Sequence, residues 1–136
     1  MAVLDHIGIA VRSIDERLAV YRALGVEAAG REEVPSERVR VAFLPLGDTR
    51  IELLEPTAAD SPIAGFIERR GEGVHHLCIE VDDVRLAMAK ARAAGLTLLS
   101  DEPSPGADGA QVCFVHPRST GGVLIELSQR TTGGRS

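Results

Sequence analysis

The segment His6-Ile-Gly-Ile-Ala-Val11 occurs a second time as His76-Leu-Cys-Ile-Glu-Val81. Each copy is followed by a related second segment, Arg50-Ile-Glu52-Leu53 in one case and Leu124-Ile-Glu126-Leu127 in the other. The two histidines are 70 residues apart and the two glutamates are 74 residues apart, so a unit of roughly half the chain is repeated with a small insertion. The repeat therefore predicts structurally equivalent positions for two histidines and two glutamates.

The length and composition indicate one globular domain. A chain of 136 residues is long enough for a single core and too short for two ordinary domains. Hydrophobic residues make up 44% and charged residues 26%, and no apolar run approaches the length of a membrane span. The net charge of −5 argues against non-specific binding to phosphate backbones. We therefore expect neither a nucleic-acid partner nor a membrane partner.

Two cysteines and the N-terminal sequence bear on the cellular compartment. Cys78 and Cys113 lie in apolar, strand-like runs, where reduced and buried thiols are expected rather than a disulfide. Asp5 and His6 interrupt any signal-peptide pattern at the N-terminus. We expect a cytoplasmic protein.

Hydrophobic periodicity predicts an α+β protein in which two modules share the order β-α-β-β-β. In the first module Ser13 is the predicted N-cap of a helix over 14–24, and a Gly47-Asp48 turn joins two strands. The second module has a predicted helix over 83–94, a short strand over 96–99 and a loop over 101–109. The boundaries within the single domain are module one at about 3–55, a linker and short helix at about 56–72, module two at about 73–129 and a flexible tail over 130–136.

Strand alternation places the repeated histidines and glutamates on one face of the predicted sheet. His6 shares its face with the small residues Gly8 and Ala10, and Glu52 and Glu126 each lie between core residues that face the opposite way. A carboxylate in such a position is costly unless a cation compensates it, although a solvated glutamate on an uncovered sheet is the simpler alternative. Imidazole and carboxylate donors without thiolate suit Co²⁺, Mn²⁺, Ni²⁺, Fe²⁺ or Zn²⁺. The repeat thus predicts one divalent-metal site.

Several segments resemble the vicinal oxygen chelate superfamily and, within it, the methylmalonyl-CoA epimerase family. Among them are Gly71-Glu-Gly-Val-His-His76 and, as the most specific, His116-Pro-Arg-Ser-Thr-Gly-Gly-Val-Leu-Ile-Glu126-Leu. The resemblance extends from Asp5 to about Ser128 and implies two modules that form a curved mixed sheet around one metal ion. It also implies the metal ligands, which are the set already found in the repeat: His6, Glu52, His76 and Glu126.

The resemblance implies epimerisation of (2R)- and (2S)-methylmalonyl-CoA through a metal-stabilised enolate, with the α-proton removed on one face and returned on the other. Glu126 is the expected first proton carrier. Some members of the family carry a glutamate where this chain has Val41. The second carrier therefore stays open among a metal-bound water, Glu52, and Glu32 or Glu33, whose simpler interpretation is a solvated charge pair.

Two residues near the last strand are candidates for substrate contacts. Arg118 either binds the substrate carboxylate or a CoA phosphate, or is an ordinary surface arginine. For His116 a structural role in closing the turn is favoured over a place in the pocket. The resemblance also implies an acyl-CoA substrate and a homodimer.

Three related functions compete with this interpretation. A glyoxalase-I-type lyase or isomerase shares the ligand pattern and acts on a glutathione-type thiohemiacetal. An extradiol dioxygenase generally uses two histidines and one glutamate with Fe²⁺. A non-catalytic binding protein of the bleomycin-resistance type lines its cavity with aromatic residues, and an aromatic content of 3% without tryptophan disfavours it here.

Overall fold

The computed structural model describes residues 2–130. The chain divides into two compact units, which follow the repeat closely. The first unit is the segment His6–His75, and the second comprises the segment that ends at Asp5 together with the segment that begins at His76. Among the described residues no helix is long and apolar enough to cross a membrane.

The first unit contains a mixed four-stranded sheet with the strand order β2-β3-β4-β1. Strand β1 is parallel to β4, with Gly8 beside Glu52, while β2, β3 and β4 pair in antiparallel fashion. The predicted Gly47-Asp48 turn joins β3 and β4, and Gly47 adopts a φ of 63° there. The elements are β1 (Val3–Ala10, which begins in the second unit), α1 (Ile14–Ala23), β2 (Gly30–Val34), β3 (Val39–Leu46), β4 (Thr49–Pro56) and α2 (Pro62–Arg70).

Helix α1 covers one face of this sheet and leaves the other face to the histidine and the glutamate. The Ser13 side chain accepts a hydrogen bond from the backbone N–H of Glu16, as the predicted N-cap requires, and Glu55 accepts one from the N–H of Ile14. Ile14 and Leu18 are fully buried in a core with residues of β3 and β4. Because residues alternate along β4, packing of Leu53 in this core directs Glu52 to the opposite face.

The second unit repeats this arrangement, with the strand order β5-β8-β7-β6 and β5 parallel to β8. Asp83 caps α3 by accepting a hydrogen bond from the N–H of Leu86, and Val84 and Met88 pack against Cys113 in the core. Cys78 and Cys113 are buried and are not linked by a disulfide, as predicted. The elements are β5 (Gly73–Glu80, which begins in the first unit), α3 (Val84–Ala93), β6 (Ser104–Pro105), β7 (Gln111–Val115) and β8 (Ile125–Gln129).

The prediction of a short strand over 96–99 is wrong. That segment makes a single bridge, between Leu98 and Val115, and the edge strand β6 lies instead inside the segment predicted to be a loop. Gly106 permits this pairing, because a Cβ atom at this position would lie 2.7 Å from Cγ1 of Val112. The βαβββ order of both modules is otherwise confirmed.

The predicted tail boundary also needs correction at its first residue. The guanidinium of Arg130 binds Asp5 at 2.7 Å, Asp108 at 2.9 Å and Glu80 at 3.2 Å, all within the second unit. Although burial works against the charged form, these carboxylates raise the pKa of Arg130 above its ordinary value. The second module therefore includes Arg130, and the rest of the predicted tail, 131–136, lies outside the described residues.

Candidate metal centre

In the first unit the repeated histidine and glutamate lie next to each other. His6 on β1 and Glu52 on β4 are 5% and 3% exposed, and the Nδ1 atom of His6 lies 3.1 Å from Oε2 of Glu52. The parallel pairing of β1 with β4 brings the two side chains together, since Gly8, two residues after His6, is the register partner of Glu52. Gly8 has no side chain to occupy the space beside the imidazole.

The second unit contains the equivalent pair. His76 on β5 and Glu126 on β8 are 5% and 7% exposed, and Nε2 of His76 lies 2.9 Å from Oε1 of Glu126. The ring of Phe114 meets the His76 ring edge-on at 5.8 Å between centroids. Phe114 is the cross-strand partner of Glu126, so the aromatic ring and the carboxylate support the same imidazole.

The donor atoms of each pair are spaced as adjacent ligands of one cation would be. Ligands about 2.0–2.2 Å from a metal ion, at right angles to each other, lie about 3 Å apart. The nitrogen–oxygen distances of 3.1 Å and 2.9 Å match this spacing, and they equally match a direct hydrogen bond within each pair. Buried carboxylates beside imidazole nitrogens also form a donor set that suits first-row divalent cations. Within each unit the residues therefore fit a metal ion.

Glu52 has a further partner that the sequence analysis missed. Arg50 precedes it by two residues on β4 and directs Nε and Nη2 to the same oxygen, Oε2, at 2.8 Å and 2.7 Å. The guanidinium also lies over the ring of Phe43, with Cζ 4.8 Å from the ring centroid. Strand alternation places Arg50 and Glu52 on one face, so the signal was present in the sequence.

Three other residues considered in the sequence analysis lie on strands β2 and β3 of the first unit. Val41 is 2% exposed on the same sheet face as Glu52, and its apolar side chain cannot carry a proton. Glu32 is the cross-strand partner of Val41 and is half-buried, whereas Glu33 is exposed and forms an ion pair with Arg40. Of the two, Glu32 is therefore on the face that carries Glu52, and Glu33 is a surface charge.

His116 and Arg118 lie in the turn before β8. The Nδ1 atom of His116 accepts a hydrogen bond of 2.9 Å from the backbone N–H of Arg118. This bond closes the turn and confirms the structural role that was favoured for His116. The side chain of Arg118 is exposed, where an anionic group can reach it. His75, the neighbour of His76, contacts the ring of Phe66.

Comparison with known proteins assigns the family. Residues 5–114 match the Glyoxalase/Bleomycin resistance protein/Dioxygenase superfamily. An ethylmalonyl-CoA/methylmalonyl-CoA epimerase of Cereibacter sphaeroides is 43% identical over 93% of this chain and 96% of its own. The mitochondrial methylmalonyl-CoA epimerase of Bos taurus is 41% identical over 93% of this chain and 73% of its own.

A solved structure gives the same result. A methylmalonyl-CoA epimerase variant of Streptomyces coelicolor, in complex with 2-nitronate-propionyl-CoA, matches with a TM-score of 0.91 and 37% identity, over 95% of this chain and 97% of that chain. The chain belongs to the glyoxalase/bleomycin resistance/dioxygenase superfamily and, within it, to the methylmalonyl-CoA epimerase family. The predicted resemblance and the predicted α+β fold class are thereby confirmed.

Proposed function

We propose that this protein interconverts (2R)- and (2S)-methylmalonyl-CoA. The observation that carries the proposal is the buried His–Glu pair, which occurs once in each unit of a chain whose relatives are epimerases of this substrate. The malonyl group offers a thioester oxygen and a carboxylate oxygen on either side of one acidic carbon. Two neighbouring oxygens of this kind suit chelation by a single cation.

We further propose that one divalent cation is held jointly by the four repeated side chains, His6, Glu52, His76 and Glu126. The donor chemistry and the spacing within each pair support this, and the repeat explains why both pairs are present. Co²⁺, Mn²⁺, Ni²⁺, Fe²⁺ and Zn²⁺ all suit the donor set. When bound, the cation supplies a Lewis acid that polarises the thioester carbonyl.

Glu126 is the proposed first proton carrier. Its carboxylate is buried beside His76, and a buried carboxylate next to an electrophilic centre is suited to removing a proton from the adjacent carbon. Return of the proton to the opposite face requires a second carrier. Glu52 and a bound water are candidates, and Glu32 is a third because it shares the sheet face of Glu52.

Three further assignments follow from the proposed substrate and the composition. The exposed guanidinium of Arg118 is a proposed contact for the substrate carboxylate or for a CoA phosphate. The buried cysteines, which form no disulfide, support the proposed location in a reducing compartment such as the cytoplasm. A homodimer stays a prediction that light scattering of the purified protein checks.

The decisive experiment uses the purified protein with added Co²⁺ and (2R)-methylmalonyl-CoA in D₂O. We expect α-deuterium in the recovered thioester, measured by NMR, and the 2S epimer, each forming faster than in a sample without protein. Ethylmalonyl-CoA serves as a second substrate, because the Cereibacter relative is named for both. Absence of exchange with both thioesters would contradict the proposal.

A parallel reaction tests the glyoxalase alternative with the same protein sample. The thiohemiacetal of methylglyoxal and glutathione is supplied with Zn²⁺ or Ni²⁺, and thioester formation is followed by absorbance. We expect no turnover above the rate without protein. Turnover of the thiohemiacetal without deuterium exchange in the CoA thioesters would replace the epimerase assignment.

A further inference from the structure

Arg50 binds the proposed metal ligand Glu52 and has no counterpart in the repeat, where Leu124 stands at the matching position. Its Nε and Nη2 atoms both lie within 2.8 Å of Oε2 of Glu52, and its side chain is 18% exposed. Two guanidinium N–H groups on one carboxylate oxygen form a charge-assisted contact with little freedom of rotation. The Glu52 carboxylate is therefore restrained by a neighbour on its own strand and sheet face.

The guanidinium is itself held in place by an aromatic ring. Phe43 is the cross-strand partner of Glu52, and Cζ of Arg50 lies 4.8 Å from the Phe43 ring centroid. A cation over an aromatic face is attracted by the ring, and the planar guanidinium is restricted in orientation by stacking. Phe43, Arg50 and Glu52 thus form a three-membered stack on one sheet face, in contact with His6.

The second unit lacks an arginine at the matching position. Leu124 stands two residues before Glu126, where Arg50 stands before Glu52. The aromatic residue is retained, because Phe114 is the cross-strand partner of Glu126, but it contacts the ring of His76. An arginine at position 50 is therefore not required to build the repeated fold.

We propose that Arg50 is a positioning residue that holds Glu52 ready for the cation. This inference rests on the proposed metal centre. Arg50 fixes the carboxylate facing Nδ1 of His6 before the cation arrives, so that less ordering is needed on binding. Its positive charge opposes cation binding, whereas partners that orient a metal ligand typically contribute about 10–100-fold to metal affinity, and the proposal is that orientation outweighs charge.

The test measures Mn²⁺ affinity of the full chain by electron paramagnetic resonance, with wild type, Arg50→Leu and Arg50→Lys. Leucine reproduces the residue of the second unit, and lysine keeps the charge but loses the two-pronged contact. We expect the dissociation constant to rise about 10–100-fold for Arg50→Leu and less for Arg50→Lys. The control is Arg31→Leu, which removes an exposed ion pair between Arg31 on β2 and Asp15 on α1 and should leave the affinity unchanged.

Several results would overturn the inference. An affinity within twofold of wild type for Arg50→Leu, or a tighter one, would mean that Arg50 does not position the ligand. If Arg50→Leu does not fold, the Mn²⁺ affinity of Arg50→Lys is compared with that of wild type instead. An affinity within twofold of wild type, or a tighter one, would then overturn the inference. The visible spectrum of bound Co²⁺ gives a second readout, which should change in Arg50→Leu and not in Arg31→Leu. If Arg50 had a purely structural role, Arg50→Leu would change only the melting temperature of the metal-free protein.

The test also separates this inference from the proposed function. If the wild type binds no cation, the metal centre and the role of Arg50 are both wrong. If the wild type binds Mn²⁺ and epimerises the substrate while Arg50→Leu does both equally well, only the role of Arg50 is wrong.

Discussion

In the first unit the buried glutamate of the repeat, Glu52, lies against the guanidinium of Arg50, whereas in the second unit Glu126 follows a leucine at the matching position. The two histidines differ as well, since His6 faces its glutamate through Nδ1 and His76 through Nε2. A duplicated unit thus preserves the pair of donor residues while their surroundings diverge. The difference teaches that repeated residues can have unequal surroundings, because a guanidinium binds Glu52 and the second unit has a leucine at the matching position.

The largest effect on metal binding and on activity is expected when one histidine of the repeat is removed. We expect His76→Ala to lose the cation and to lower kcat/KM by at least about 10²–10³-fold, because the polarising group is lost. His6→Ala should have the same effect if both pairs serve one ion. Metal analysis and epimerase assays measure both quantities.

The neighbouring residue supplies the control for these variants. His75→Ala removes an imidazole from the other face of β5, where it contacts Phe66, and should retain the metal. If His6→Ala and His76→Ala each still bound one cation, the two pairs would be separate sites and the proposal of a joint centre would fail.

The second test compares the two glutamates directly. With saturating metal, Glu126→Gln should lower kcat by about 10²–10⁴-fold, the usual contribution of a general acid or base. Glu52→Gln should mainly weaken metal binding and lower kcat less, because Arg50 holds this carboxylate in place. Equal losses of kcat at saturating metal would instead indicate that both carboxylates carry protons.

The sequence alone predicted the parts of this molecule that depend on periodicity. Alternation along β1, β4, β5 and β8 requires only local sequence, and it placed the two histidines and two glutamates on one face of each strand. The Ser13 cap and the turn after Leu46 were found for the same reason, since capping and turn residues act within a few positions.

The features that were missed depend on residues far apart in the chain. Arg130 and Asp5 are 125 residues apart, and no local pattern links them. The two-residue strand β6 forms because Gly106 lets Val112 approach, which is a property of packing rather than of strand propensity. Arg50 was visible on the correct face, but an arginine on a strand is most often a surface residue.

The third test concerns the ionic cluster of the second unit. Arg130 is 17% exposed and its partner Asp5 is 4% exposed, and Arg130→Leu would leave the Asp5 carboxylate buried without this cation. We expect a loss of about 2–4 kcal/mol in the free energy of unfolding, within the range for breaking a largely buried ion pair. Urea denaturation of the metal-free protein measures it, and a loss below about 0.5 kcal/mol would show that solvent screens the cluster.

The smallest effect is expected at the ionic cluster of the first unit. There Oε1 of Glu72 lies 2.7 Å from Nε of Arg17, and Oε2 lies 3.4 Å from Nη1 of Arg12, nearer the surface. The hydrogen bonds from Arg17 lower the pKa of Glu72 below its ordinary value of about 4.3. A lowered carboxyl pKa adds stability that is present above the ordinary value and is lost as the pH falls through the lowered one.

Because Arg17 is exposed, Glu72→Gln should lower the melting temperature at pH 7 by no more than about 2–4 °C, and the difference from wild type should shrink as the pH falls below about 4. The matched control is Glu27→Gln, in which an exposed carboxylate 3.6 Å from Arg22 is removed with no expected change. A difference for Glu72→Gln that stays constant between pH 7 and pH 3 would mean that the glutamine disturbs packing, because only an effect that follows the protonation of Glu72 can be assigned to its charge.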